Sequence, residues 1–119
     1  MPPHLLIVDD EADLTSLFKG FFESIGYRVS VAHDGRVALD IDARDPADAV
    51  ITDLTMPHMN GQELTAQLRQ RRAALPVIMM SGYGGDERIG DPQTVVLAKP
   101  VSLMLVKQKL DSMLPAHGT

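Results

Sequence analysis

Five side chains that could do chemistry together follow short apolar segments of this chain. The segments have the length of buried strands, and the five residues come at or just past their ends: Asp9, Asp10, Asp53, Ser81 and Lys99. In an open α/β sheet, ligands bind outside the carboxyl ends of the strands. We therefore expect these side chains to converge at one edge of a sheet and to form a site there.

The three aspartates of this group predict a metal ion. Carboxylates within about 5 Å of one another repel by several kcal/mol per pair, unless a cation or a proton lies between them. Hard oxygen ligands in a chain without cysteine select Mg²⁺ or a similar ion. The four histidines lack the spacing of metal ligands, and we expect them at the surface: His4, His33, His58 and His117.

Lys99 and Ser81 suggest which reaction the metal would serve. An ammonium after an apolar run needs a carboxylate partner to offset its desolvation, and Asp53 is the natural one. A carboxylate flanked by a metal, an ammonium and a hydroxyl is a known kind of nucleophile, which forms an aspartyl-phosphate. The metal, Lys99 and Ser81 would each bind one oxygen of the phosphoryl group, and Asp53 would supply the attacking oxygen.

The segments that carry these residues alternate between two periodicities. Short apolar runs typical of strands occupy residues 5–8, 28–32, 49–52, 77–80 and 95–98. The first connecting segment has apolar residues at helical spacing: Leu14, Leu17, Phe18, Phe21, Phe22 and Ile25. Repeated strand and helix pairs of this kind predict a parallel sheet covered by helices on both faces.

Local signals place several helix ends. Asp34, Asn60 and Ser102 are expected to cap the starts of three helices, and Gly26 is expected to end the first one. Residues 82–92 are rich in glycine, so we expect the fourth helix, between strands four and five, to be short or irregular.

Two surface patterns have more than one interpretation. Arg69, Arg71 and Arg72 lie in the last turn of the third helix, where cations complement the helix dipole. We favour that role over a docking patch for an acidic partner. Residues 103–106 are all apolar, so one or two of them should be exposed, either under a neighbouring loop or as a contact surface.

The composition limits the classes of protein. With 119 residues and a mass of 13.0 kDa, the chain is expected to form a single domain over residues 1–119. A net charge of −5 disfavours direct binding of nucleic acid. No apolar run approaches the roughly 18 residues of a membrane span. We therefore expect a cytoplasmic protein whose partners include neither nucleic acid nor a membrane.

In its motifs the chain resembles the receiver domain of two-component response regulators. The matching residues are Asp9-Asp10, the stretch from Asp53 to Gly61, Ser81-Gly82 and Lys99-Pro100. The resemblance covers about residues 5–114, which would be the core of the domain. It implies a flavodoxin-like fold, a three-layer α/β sandwich around a five-stranded parallel sheet of strand order 2-1-3-4-5.

The resemblance also implies roles for the acidic residues. Asp53 would be the phosphoacceptor, taking a phosphoryl group from the phosphohistidine of a histidine kinase or a phosphotransfer protein. Asp10, Asp53 and the backbone carbonyl of Thr55 would ligate Mg²⁺, and Asp9 would act through a bound water.

The other site residues would hold the transferred group. Ser81 and Lys99 would contact the phosphoryl group, and the peptide bond before Pro100 would be cis. Phosphorylation would switch the binding of a downstream protein. The chain would catalyse only its own phosphorylation and dephosphorylation, so we do not expect an enzyme that turns over a metabolite.

Two departures from the family pattern concern the switch. Family members often carry an aromatic residue three positions before the lysine, where this chain has Val96. The interval from Ser81 to Lys99 is several residues shorter than usual, which is similar to receiver domains attached to or paired with hybrid histidine kinases. Thr55 and Tyr83 should stand near the path of the hydrolytic water, and the bulk of Tyr83 predicts slow dephosphorylation.

Other functions fit part of the pattern. A phosphatase of the haloacid-dehalogenase type also uses an aspartyl nucleophile, but it needs a second aspartate two residues later, where this chain has Thr55. A receiver-like interaction module would keep the fold without being phosphorylated, which the complete set of site residues argues against. A flavin carrier is disfavoured because residues 9–13 are too acidic to cradle a nucleotide phosphate.

Overall fold

The parallel sheet expected from the sequence is present in the structure, a computed structural model that describes residues 2–82 and 93–114. Five strands lie in the order β2-β1-β3-β4-β5, and all neighbours are parallel. The strands are β1 (His4–Val8), β2 (Arg28–Ala32), β3 (Ala49–Asp53), β4 (Val77–Ser81) and β5 (Thr94–Ala98). The helices of the described residues are α1 (Ala12–Ser24), α2 (Gly35–Arg44), α3 (Gly61–Arg71) and α4 (Leu103–Met113). The predicted fold class and strand order are confirmed.

The register of the sheet brings the strand ends together at one edge. Val8 at the end of β1 pairs with Thr52 in β3, and Asp53 pairs with Met80 in β4. The pairing of β4 with β5 continues to the last residue of each strand. The residues that end these strands or follow them are therefore neighbours, as the sequence predicts.

The three central strands, β1, β3 and β4, are buried on both faces of the sheet, which explains why they are largely apolar. In β1, Leu5 and Ile7 belong to one buried cluster, and Leu6 and Val8 belong to the other. The first cluster includes residues of α1 and α4: Phe18, Phe22, Val106 and Leu110. The second includes residues of α2 and α3: Ala38, Leu64 and Leu68. The sheet therefore lies between two cores, and the described parts of the chain place two helices on each face.

The predicted helix ends are confirmed. The side chains of Asp34, Asn60 and Ser102 each accept a hydrogen bond from the backbone N–H three residues later, at the starts of α2, α3 and α4. At Asn60 the bond is reciprocal, because the Glu63 carboxylate accepts from the Asn60 N–H. Gly26 follows α1 with a φ of 102°, a backbone conformation that residues with a Cβ rarely adopt. The three capping bonds fix the residues at which α2, α3 and α4 begin.

Part of the predicted apolar stripe of α1 is not buried. Phe18 and Phe22 lie in the core, but Leu17 is 57% exposed, and Ile25, just past the helix, is also exposed. The predicted helix is present, but its apolar residues are divided between the core and the surface. The stripe is wider than the surface of α1 that one face of the sheet can cover.

The apolar stretch at the start of α4 is divided between the core and the surface. Val106 is buried and Leu103 packs partly against the first core cluster, whereas Met104 and Leu105 are exposed. This outcome confirms the prediction that one or two of the four residues are exposed, because successive residues of a helix point in different directions.

Some predictions fall outside the described residues. The short or irregular helix between β4 and β5 and the effect of Tyr83 concern residues 83–92, and His117 lies in 115–119. Those expectations stay predictions. None of the helices in the described parts of the chain is long and apolar enough to cross a membrane.

The prediction that the histidines lie at the surface is wrong for His4. Its side chain is buried at the start of β1, whereas His33 and His58 are exposed. The Nδ1 atom of His4 lies 3.1 Å from the Pro46 carbonyl oxygen, and Nε2 lies 2.7 Å from Ser30 Oγ. Both ring nitrogens are thus satisfied, which removes most of the cost of burial. The partners are far away in the sequence, so no local pattern reveals them.

The arginines at the end of α3 bind specific partners, a role that the helix-dipole interpretation missed. Arg71 Nη1 lies 2.9 Å from the carboxylate of Asp42, and Arg72 binds the same carboxylate, which is fully buried in α2. Arg69 Nη1 donates to Thr94 Oγ1, 2.8 Å away at the start of β5. The far end of α3 is therefore fastened to both α2 and β5.

Replacing Asp42 with asparagine is expected to lower the free energy of unfolding by about 2 kcal/mol near neutral pH, because both arginines lose the charge that they share. Burial alone would raise the pKa of Asp42, but hydrogen bonds from Arg72, the Ala47 N–H and Arg71 outweigh it and hold the pKa below its usual 3.8. The ionised carboxylate stabilises the fold above about pH 4, and this contribution is lost as the pH falls through the lowered pKa. Urea denaturation across this range would measure the difference.

The matched control is Asp40→Asn, which removes an exposed charge from the same helix. We expect it to change the free energy of unfolding by less than about 0.5 kcal/mol. Equal losses in the two variants would show that the ion pairs of Asp42 do not stabilise the fold.

Candidate functional site

Asp9 and Asp53 lie side by side at the carboxyl ends of neighbouring strands. Asp9 directly follows β1, and its backbone N–H extends the pairing with β2 by donating to the Ala32 carbonyl at 3.1 Å. Asp53 is the last residue of β3, next to β1 in the sheet. Both residues are buried. The strand pairing itself therefore brings Asp9 and Asp53 together.

Asp10 completes a group of three carboxylates. One oxygen from each of Asp9, Asp10 and Asp53 can be chosen so that all three lie within 4.8 Å of one another. Asp10 is exposed while the other two are buried. The structure thus brings the three predicted ligands together, with two of the charges removed from water.

Lys99 reaches the aspartates from the end of β5. Its Nζ lies 3.2 Å from Asp53 Oδ2, 3.4 Å from Asp9 Oδ2 and 3.7 Å from Glu11 Oε1. Its backbone N–H donates to the Ser81 carbonyl at 2.7 Å. Burial alone would lower the pKa of Lys99, but the charges of Asp9 and Asp53 outweigh it and raise the pKa. The lysine is therefore a fixed cation beside Asp53.

The charge on Asp9 is costly in this site. Burial raises the pKa of Asp9, and the nearby charge of Asp53 raises it further. The Glu11 backbone N–H, 2.9 Å from Asp9 Oδ1, and the Lys99 ammonium oppose this shift without cancelling it. A further cation beside Asp9 would stabilise its ionised form.

The three aspartates fit a small divalent cation. Carboxylate oxygens are the hard ligands that Mg²⁺ takes in proteins, and the ion usually keeps several of its waters. Asp10 opens the group to solvent on one side, so those waters have room. A single ammonium cannot neutralise three carboxylates, whereas a divalent ion together with Lys99 can.

Ser81 and Thr55 lie near the same strand ends. Ser81 is the last residue of β4, where it is buried beside the strand that ends in Asp53. Thr55 is exposed, and its backbone N–H donates to Asp53 Oδ1 at 3.3 Å. The peptide bond between Lys99 and Pro100 is cis, as the resemblance implies. The predicted metal ligands and phosphoryl-contacting residues, all within the described residues, thus lie at this edge of the sheet.

Two residues of the site were not predicted. Glu11 contacts Lys99, and its position directly after the aspartate pair was the available signal. Gly61 packs against the backbone of Asp53, where a Cβ atom would lie 2.5 Å from the carbonyl oxygen. The Gly61 N–H also donates to the Leu54 carbonyl at 2.8 Å. The sequence marks Gly61 as a helix start but gives no sign of this close approach.

Comparison with known families decides what kind of domain this is. Residues 5–110 match the family described as the response regulator receiver domain. The chain belongs to that family. The match includes all the predicted site residues of this receiver domain, and it decides against the dehalogenase-type phosphatase and the flavin carrier.

The receiver domain is similar to parts of longer signalling proteins. It is 43% identical over 82 residues to the transcriptional regulatory protein CpxR of Escherichia coli K12, an alignment that covers 69% of this chain and 34% of CpxR. It is 34% identical over 110 residues to the sensor histidine kinase RcsC of the same strain, covering 89% of this chain and 12% of RcsC. The chain therefore spans about a third or less of the length of these relatives.

Solved structures of receiver domains have the same fold. The chemotaxis response regulator CheY4 of Vibrio cholerae superimposes with a TM-score of 0.84 at 25% identity, covering 96% of this chain and 100% of that chain. This similarity confirms the flavodoxin-like fold of the receiver domain.

The departure at Val96 has a clear place in the receiver domain. Val96 lies in β5, paired with Met79 of β4, and it packs partly buried against the second core cluster. A valine has no ring to turn between the interior and the surface. An aromatic rotamer switch therefore cannot operate at this position.

Proposed function

We propose that this receiver domain accepts a phosphoryl group on Asp53 from the phosphohistidine of a histidine kinase or phosphotransfer protein. The observation that carries the proposal is the Lys99 ammonium, which lies 3.2 Å from Asp53 and 3.4 Å from Asp9. A structural ion pair needs one carboxylate, whereas this lysine serves a group of acids that is open to water at Asp10. Such a costly arrangement of charge is typical of a reaction site.

In the proposed step, an oxygen of the Asp53 carboxylate attacks the phosphorus of phosphohistidine. A new P–O bond forms as the P–N bond breaks, and the imidazole leaves with the electron pair of the broken bond. The Lys99 ammonium and the Ser81 hydroxyl would bind phosphoryl oxygens and stabilise their charge. Water later attacks the phosphorus of the aspartyl-phosphate, the bond from phosphorus to the Asp53 oxygen breaks, and inorganic phosphate leaves, which restores the free carboxylate.

The residues that would hold Mg²⁺ are Asp10 and Asp53 with the Thr55 carbonyl, and Asp9 would act through a bound water. When bound, the ion supplies positive charge that lets an anionic phosphoryl group approach the carboxylates. The two oxygens of Asp53 already differ, because Oδ1 accepts the Thr55 N–H and Oδ2 faces Lys99. These contacts orient the carboxylate before any donor arrives.

The modification would act as a signal instead of a metabolic reaction. Ser81 and Lys99 are joined through the backbone, since the Lys99 N–H donates to the Ser81 carbonyl. Drawing both side chains toward a new dianion would therefore displace the ends of β4 and β5 together. A downstream protein that binds one arrangement better than the other would read out the phosphorylation.

Phosphoryl transfer from labelled acetyl phosphate tests the proposal. We expect label on the protein when Mg²⁺ is present, none when the metal is chelated, and release of the label by hydroxylamine, which cleaves acyl phosphates. A protein that takes no label with Mg²⁺, from acetyl phosphate or from a phosphorylated histidine kinase, would instead be an unphosphorylated interaction module.

A further inference from the structure

Glu11 is a third carboxylate on the Lys99 ammonium. Its Oε1 lies 3.7 Å from Lys99 Nζ. The Glu11 side chain is 69% exposed, whereas those of Asp9 and Asp53 are 0% and 10% exposed. The ammonium is thus held between two buried carboxylates on the protein side and one exposed carboxylate on the solvent side.

The carboxylate of Glu11 has a different position from those of the aspartates. The group whose oxygens lie within 4.8 Å of one another consists of Asp9, Asp10 and Asp53, without Glu11. Glu11 is the N-cap residue of α1, but its side chain makes no capping bond. Within the described part of the chain, its carboxylate contacts Lys99. The side chain therefore acts on the lysine instead of on a metal or on the helix.

We infer that Glu11 is a positioning residue for phosphoryl transfer, an inference that rests on the function proposed above. Its carboxylate holds the Lys99 ammonium toward solvent and competes for it with the incoming phosphoryl oxygen. Lys99 must give up this contact when it binds the phosphoryl group. Glu11 thereby sets how readily the lysine is available, although it touches neither phosphorus nor metal.

The size of the effect follows from the exposure of the pair. An ion pair that water can reach changes an equilibrium by about fivefold at most. Glu11 should therefore adjust the rate of transfer within that range and should not switch the reaction on or off. Its removal should also raise the rate, which distinguishes competition for the lysine from support of the fold.

The test compares Glu11→Gln with Asp13→Asn. The first variant keeps the length of the side chain and the backbone N–H that binds Asp9. The second removes an equal charge from the exposed first turn of α1. With acetyl phosphate, an Asp53 oxygen bonds to phosphorus while the P–O bond to acetate breaks and acetate leaves. At saturating Mg²⁺ we expect this rate to rise about three- to fivefold in Glu11→Gln and to stay within about 1.5-fold in Asp13→Asn.

A second measurement reports on the lysine itself. The Nζ and Cε chemical shifts of Lys99, recorded by NMR without any donor, should change in Glu11→Gln and stay unchanged in Asp13→Asn. In a Lys99→Met background, Glu11→Gln should no longer raise the rate of transfer, because the group that it releases is gone.

Distinct results would overturn the inference and the proposed function. If the wild-type protein takes label but Glu11→Gln is no faster than Asp13→Asn, the inference is wrong and the proposed function stands. A rise in rate that persists in the Lys99→Met background would also overturn the inference. If the wild-type protein takes no label, both fall together.

Discussion

Replacing Asp53 with alanine is expected to lower the phosphorylation of the protein by at least about 1,000-fold, because it removes the carboxylate that we propose as the nucleophile. Asp9 lies close by, but it is completely buried and its charge is already held by Lys99 and the Glu11 N–H. The measurement is incorporation of label from acetyl phosphate with Mg²⁺, followed by mass spectrometry of the peptide that carries the phosphate.

The fold should survive this substitution. Lys99 keeps its contacts with Asp9 and Glu11. Removal of the Asp53 carboxylate also removes its repulsion of the other carboxylates in the group. Asp40→Ala is the matched control, since it removes an exposed aspartate from α2, and it should be labelled at the wild-type rate. Label on Asp53→Ala that maps to Asp9 or Asp10 would show that Asp53 is not the acceptor.

Gly61→Ala is expected to lower the free energy of unfolding by about 3 kcal/mol. The added Cβ would lie 2.5 Å from the Asp53 carbonyl oxygen and 3.1 Å from the Leu54 Cα, and both are backbone atoms that cannot rotate away. Relief of this clash must shift either α3 or the end of β3. Because Asp53 ends that strand, we also expect phosphorylation to slow by about tenfold or more. Urea denaturation and the label assay would measure the two effects.

Gly20→Ala is the matched control for this prediction. Gly20 is an exposed residue within α1, away from the ends of the helix, and a Cβ there would meet nothing within 4 Å. The substitution should stabilise the protein by about 0.5–1 kcal/mol, because alanine favours the helix more than glycine does. If Gly61→Ala were as stable as Gly20→Ala, the close approach to Asp53 would not be a constraint on this loop.

The sequence predicts the site well because the site is built from strand ends. A short apolar run that stops at a charged residue marks both the strand and the place where it leaves the sheet, as at Asp53. Parallel pairing then brings such residues together without further information. The caps at Asp34 and Asn60 are equally local, since each binds a backbone N–H three residues later.

The features that the sequence did not reveal depend on distant partners. His4 is buried because Ser30 and Pro46 satisfy its ring, and the arginines of α3 find Asp42 across the helix pair. Each partner lies 26 or more positions away along the chain. No local periodicity carries such pairings, so residue type alone suggested the wrong environment for His4.

Contacts at both ends of α3 connect the site edge of the sheet to the opposite side of the domain. Gly61 packs against the backbone of Asp53, while Arg71 and Arg72 bind α2 and Arg69 binds β5 at the other end of the helix. A substitution that weakens the contacts of these arginines can therefore displace Asp53 through α3, although it touches no residue of the site. Substitutions in α3 are therefore expected to impair both the stability of the domain and the chemistry of its site.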